Sequence, residues 1–118
     1  MLWPIRPRQT NRAHMIDKQQ TEQDIIETLK TVHDPEIPVN IYELGLVYTI
    51  DIRDDGYVQI TMTLTAPGCP VAGDIIREVD EKVRTVPNVT DVNVMLTFEP
   101  AWNREMMSEE AKLELGFL

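Results

Sequence analysis

Cys69, the one cysteine among 118 residues, is the side chain with the most chemistry to offer. It sits in Thr65-Ala66-Pro67-Gly68-Cys69-Pro70, just ahead of Val71, Ile75, Ile76, Val79 and Val83, whose spacing predicts an amphipathic helix. Proline is favoured at the first helical position, which puts Cys69 at the expected N-cap. Unpaired amides and the positive end of the helix dipole favour thiolate over thiol there, making Cys69 a candidate ligand or nucleophile. Cysteine also packs well as a small buried hydrophobe, and position alone does not separate the two readings. A second polar segment, His33-Asp34-Pro35-Glu36-Ile37-Pro38, sets two carboxylates and an imidazole on a proline-stiffened loop. Read plainly, Asp34 is a helix-stopping turn residue and Glu36 a solvated charge. Folded over the Cys69 turn, the loop would assemble thiolate, carboxylates and imidazole, a set suited to a transition metal. The same carboxylates would raise the thiol pKa and so oppose the helix dipole.

The lone cysteine excludes an intrachain disulfide and any four-thiolate zinc or iron-sulfur site built from one copy of the chain. A cysteine enzyme would need a base and a group to orient it, and the only histidines are His14 and His33. No nucleophile motif, phosphate-cradling glycine loop or helical histidine pair is present. A catalytic role is therefore not expected. Eleven basic against twenty acidic side chains give a net charge of -9, which disfavours nucleic acid and anionic membranes as partners. The charge is uneven: Met1 to His14 holds Arg6, Arg8 and Arg12 and no acid, and subtracting this +3 from -9 leaves -12 for residues 15–118. The leader has no long apolar run, so it reads as a disordered extension or the result of an upstream start codon, with Met15 as an alternative start. No stretch is long enough to span a bilayer, and a cytoplasmic protein is the default expectation.

These groups need elements to position them. Thr21 and Asp24 form a Thr-x-x-Asp capping signal before Ile25, Ile26, Leu29 and Val32, predicting a helix that stops at His33. Leu46 to Arg53 and Tyr57 to Thr65 alternate around Asp54-Asp55-Gly56 and read as a β-hairpin. In the second strand Val58, Ile60, Met62 and Leu64 face one way, leaving Thr61 and Thr63 on a face expected to be solvated, with Thr65 set apart because it ends the strand at the loop carrying Cys69. A third strand is expected over Val89 to Phe98, and a short helix opened by Ser108, Glu109 and Glu110 and ended by Gly116. One apolar face per strand and one stripe per helix imply an α+β fold: a two-layer sandwich, helix-strand-strand-helix-strand plus a short C-terminal helix, with both main helices on one side of a small mixed sheet.

Three segments carry a resemblance. Asp34-Pro-Glu-Ile-Pro-Val-Asn-Ile-Tyr-Glu-Leu-Gly-Leu-Val-Tyr48, Thr61-Met-Thr-Leu-Thr-Ala-Pro-Gly-Cys-Pro-Val-Ala-Gly73 and Pro100-Ala-Trp-Asn-Arg-Glu-Met-Met-Ser108 together resemble the SufT-like family of iron-sulfur cluster assembly proteins. The eukaryotic cytosolic assembly factors and PaaD-type proteins are similar in kind. The match runs in order from about Thr21 to the C-terminus, leaving the leader outside a domain over 15–118. It implies a small α+β accessory factor in the maturation of iron-sulfur proteins, as in the SUF system, with no turnover reaction of its own. The family's Asp-Pro-Glu motif maps onto Asp34, Pro35 and Glu36, its reactive cysteine onto Cys69, the threonine before that loop onto Thr65, and its Pro-x-Trp element onto Pro100 and Trp102. Asn40 and Gly45 fit the family loop, whereas an aliphatic or neutral residue is expected where His33 stands.

The resemblance implies that iron or an iron-sulfur cluster is held transiently, by Cys69 with Asp34 and Glu36, and shared with another protomer or with a partner that supplies further donors. Scaffold, carrier or apo-client proteins are the implied partners, and a homodimer sharing two Cys69 thiols is open but unforced. Trp102 and Pro100 are either a client contact or, for Trp102, an aromatic cap on the core. A reading from another class remains: a non-catalytic ligand-sensing or interaction domain in which Cys69 is incidental.

Overall fold

The first helix, α1 (Lys18–Leu29), starts about two turns before its apolar stripe, which begins at Ile25. Asp17 is its N-cap, accepting from the Gln20 N–H through its side chain at 3.2 Å. Thr21, expected as the cap, instead lies in the helix and is buried with Ile25 and Leu29, one residue per turn. The helix also ends at Leu29, short of His33, which pairs through its backbone with Asn40 in an isolated antiparallel bridge. This computed structural model describes residues 17–34, 37–65 and 72–116. The basic leader lies outside them.

The hairpin strands are β1 (Val47–Ile52) and β2 (Tyr57–Met62), followed by α2 (Ala72–Arg84) and β3 (Asp91–Leu96). A short 3-10 turn, Arg104–Met106, and α3 (Glu109–Glu114) complete the chain. The Ser108 side chain caps α3, accepting from the Ala111 N–H at 3.1 Å, and the helix stops before Gly116, as its sequence requires. The strand order is β1-β2-β3, with β1 antiparallel and β3 parallel to β2. A parallel pair needs a crossover, and α2 supplies it.

Val58, Ile60 and Met62 of β2 are fully buried against Ile25 and Leu29 of α1 and Val79 and Val83 of α2, so the expected two-layer α+β sandwich is the observed one. Thr49, Asp51, Gln59, Thr61, Asn93 and Met95 line the other face through the strand register. One residue departs from the expected solvated threonine face. Thr63 is 0% exposed. It lies past the last residue of β2, where the strand's alternation no longer decides which way a side chain points. At the start of β3, the Val92 N–H and then the Arg84 guanidinium hold the Asp91 carboxyl below the usual carboxylate range. Among the described residues no helix is long and apolar enough to cross a membrane.

Candidate functional site

The chain reverses between His33 and Asn40, and Asp34 directly follows the first of these bridge residues. Asp34 is buried, 6% exposed, and its carboxylate accepts from the Ile37 N–H at 3.3 Å, closing a local turn. The turn-forming and site-forming readings of this residue are therefore compatible. The loop continues into a compact turn over residues 40–46. Asn40 Oδ1 accepts from the Glu43 N–H at 2.8 Å, and the Leu46 N–H donates to the Ile41 carbonyl at 3.1 Å.

A run of backbone hydrogen bonds ties this loop to the end of β2. Ile41 N–H donates to Val32 at 2.8 Å, Leu46 N–H to Ile41, and Thr63 N–H to Leu46 at 2.8 Å. Asp34 follows Val32 by two residues, and half-buried Thr65 follows Thr63 by two. The two polar segments thus leave the same end of the sheet, on either side of Leu46. Pro35 and Glu36 lie outside the described residues, as do Cys69 and Pro70, and the described part of α2 starts at Ala72. Thr63 at this end has a buried hydroxyl with no hydrogen-bond partner among the described residues.

The third motif straps the loop down. Trp102 Nε1 donates to the Leu44 carbonyl at 2.6 Å, the Ser108 N–H to the Glu43 carbonyl at 2.8 Å, and the Tyr48 hydroxyl to the Pro100 carbonyl at 2.6 Å. The Glu99-Pro100 peptide is cis. Gly45 sits beneath the strap at φ +81°, and a Cβ there would overlap the Met106 carbonyl. Trp102 is half-buried, packs against the core and has its indole N–H satisfied within the chain, which fits the core-capping reading of this residue.

The described parts of the three motifs therefore lie at one end of an α+β sandwich. The model of a family described as "Iron-sulfur cluster assembly protein" matches residues 22–95. The chain belongs to this iron-sulfur cluster assembly family. It is 62% identical over 99 residues to an "Fe-S protein maturation auxiliary factor" of Porphyromonas gingivalis, covering 84% of this chain and 94% of that protein. It is 40% identical to the "Fe-S protein maturation auxiliary factor SufT" of Staphylococcus aureus, over 72% of this chain and 97% of that one. Among solved structures, a crystal structure of a domain of unknown function from Bacillus anthracis aligns with a TM-score of 0.78 at 39% identity, covering 85% of this chain and 95% of that one. The SufT-like resemblance and the expected fold both hold, and the protein works in iron-sulfur cluster assembly.

In this assembly protein a groove of about 230 Å³ lies beside the Asp34 loop. Lys30, exposed His33, Asn40 and Glu43 line it from the loop side, and Glu110 and Glu114 from α3. Lys30 pairs with Glu43 at 3.6 Å, which leaves the two α3 carboxylates in excess. Among the described residues no three His, Cys, Asp or Glu side chains converge as a metal-binding group. Sequence reasoning missed Tyr48 as the strap's anchor and Thr63 as a buried polar group. In the sequence Tyr48 stands in an alternating strand and at the end of the first motif, and neither points to its partners Pro100 and Met106, more than fifty residues away.

Proposed function

We propose that this assembly protein is an accessory factor in the maturation of iron-sulfur proteins that engages iron or a cluster through Cys69, with Asp34 and Glu36 as auxiliary oxygen donors. Iron and cluster are cargo here, and the protein turns over no reaction of its own. The observation that carries the reading is the backbone tie through Leu46, which holds buried Asp34 and the Thr65 end of β2 at one end of the fold. Cys69 is tethered between that end and α2: it lies three positions before Ala72, a span of at most about 11 Å. Thr65, ahead of the cysteine loop, serves as the matching polar group at the strand end.

One thiolate and two carboxylates fall short of a closed cluster site, so the remaining donors come from a second protein and the cargo passes on. The partner is a scaffold, a carrier or an apo-client. The acid-rich groove beside the Asp34 loop favours a partner with basic side chains there, and Pro100 and Trp102 act by holding the loop's shape.

Cys69→Ala is expected to leave the circular dichroism spectrum and melting temperature of the domain unchanged. In a strain lacking the gene, the same variant is expected to lose all support of iron-sulfur enzyme activity. Full complementation by a folded Cys69→Ala protein would overturn the proposal and leave an interaction domain with an incidental thiol.

A further inference from the structure

The two edges of the sheet are built differently. β1 carries a register shift between Val47 and Thr49 and the charge of Asp51, and exposed Arg53 follows it. Bulges and charges are the usual means of discouraging strand addition at an edge. β3 has neither from Asn93 to Leu96.

Its backbone polarity follows from one hydrogen bond. The Thr97 N–H donates to the Met62 carbonyl at 2.9 Å, and in a parallel pair the peptide groups of alternate residues point the same way. Asn93, Met95 and Thr97 therefore face β2, while Val92, Val94 and Leu96 face outward. At Val92 both outward groups are occupied. Its N–H donates to the Asp91 carboxylate at 2.9 Å, and its carbonyl accepts from Arg84 Nη2 at 3.1 Å. Asp91 and Arg84 are in turn paired at 2.7 Å. The outward groups of Val94 and Leu96 meet no donor or acceptor among the described residues. Met95 and Leu96 are 45% and 39% exposed.

We infer that β3 pairs with β3 of a second copy of this chain, antiparallel, about a two-fold axis at Met95. In this register Val94 of each copy faces Leu96 of the other, and four hydrogen bonds use the free groups. Met95 meets its own counterpart on the open face of a six-stranded sheet. The Arg84-Asp91 pair, by occupying Val92, ends the pairing after Val94 and so fixes the register.

A second copy suits this edge better than an unrelated segment because the run is self-complementary. Asn93 to Thr97 carries no charge, so two chains of net charge -9 can meet along it without a like-charge contact. So short a strand pairing buries well under the roughly 1,200 Å² typical of stable complexes, which makes the dimer weak and dependent on concentration. Long-range repulsion between two acidic chains is screened by salt, so salt strengthens this dimer, the opposite of an ion-paired interface.

Sedimentation velocity on the full chain, from micromolar to millimolar concentration at low and high salt, tests the inference. The expected result is a shift from monomer to dimer with concentration, larger at high salt. Met95→Lys, on the exposed face, places two ammonium groups at the axis and should weaken dimerisation about tenfold or more. Val94→Pro removes one outward N–H without touching the β2 pairing and should act likewise. In hydrogen exchange, the Val94 and Leu96 amides should gain protection with concentration while the Val92 amide does not. A monomer at every concentration, a dimer indifferent to folded Met95→Lys protein, or protection confined to β1 would each overturn it. So would binding of an extended client segment to β3 with no self-association.

Discussion

At the scale of single residues, Thr21 and Thr63 have buried hydroxyls that meet no hydrogen-bond partner among the described residues. Taking a hydroxyl out of water without a partner costs about 1–3 kcal/mol. Thr21 lies in the stripe of α1 that packs into the core and has no role in the proposed site. Valine has nearly the same shape, so Thr21→Val should stabilise the domain by about 1 kcal/mol, raising the melting temperature by several degrees. Scanning calorimetry checks this, and an unchanged or lower midpoint would show that the hydroxyl finds a partner in solution. Asp34 differs from both threonines in that its buried carboxylate is hydrogen-bonded to the loop it closes. It was legible in the sequence as a turn residue because the Asp-Pro pair and the end of the apolar period coincide there. The burial of Thr63 was not legible, since it depends on what lies over the strand end and the alternation of β2 points the other way.

At the scale of elements, the order of helices and strands and their buried faces could be read from periodicity, because each main helix and strand covers one apolar layer. The start of α1 could not. Its apolar stripe begins about two turns inside the helix, so the capping signal nearest the stripe, Thr21, looks like the boundary, while the cap in use is Asp17. The C-terminal strap was legible only as a motif, because its hydrogen bonds join Tyr48 to Pro100 and Leu44 to Trp102, separations that no local pattern encodes. The strap gives Gly45 a definite role. A side chain there must adopt a positive φ and displace the Met106 carbonyl, so Gly45→Ala should cost more than about 2 kcal/mol. Because the displaced segment carries Trp102, its fluorescence should shift to the red in a Trp3→Phe background well below the unfolding midpoint. A variant with wild-type stability and emission would show that the strap does not clamp the loop.

At the scale of the whole molecule, the charge along the sequence changes sign just ahead of the first described helix. Arg6, Arg8 and Arg12 all precede Asp17, whose side chain caps α1, and among the described residues the buried apolar cluster runs from Ile25 to Ala111. The family match begins at residue 22. The Asp17 side chain satisfies one first-turn amide, and the exposed start of the helix leaves the others open to water. Removing residues 1–14 should therefore leave the melting temperature unchanged within about 1 °C, since surface changes remote from caps, core and buried networks fall within about 0.5 kcal/mol. The one expected physical change is electrostatic. Loss of the leader's +3 from a net -9 makes the chain more acidic, so its self-association at β3 should weaken at low salt and recover at high salt. Calorimetry and sedimentation of the truncated chain read the two effects separately. A drop of several degrees would mean that the basic segment packs on the acidic domain and belongs to its fold.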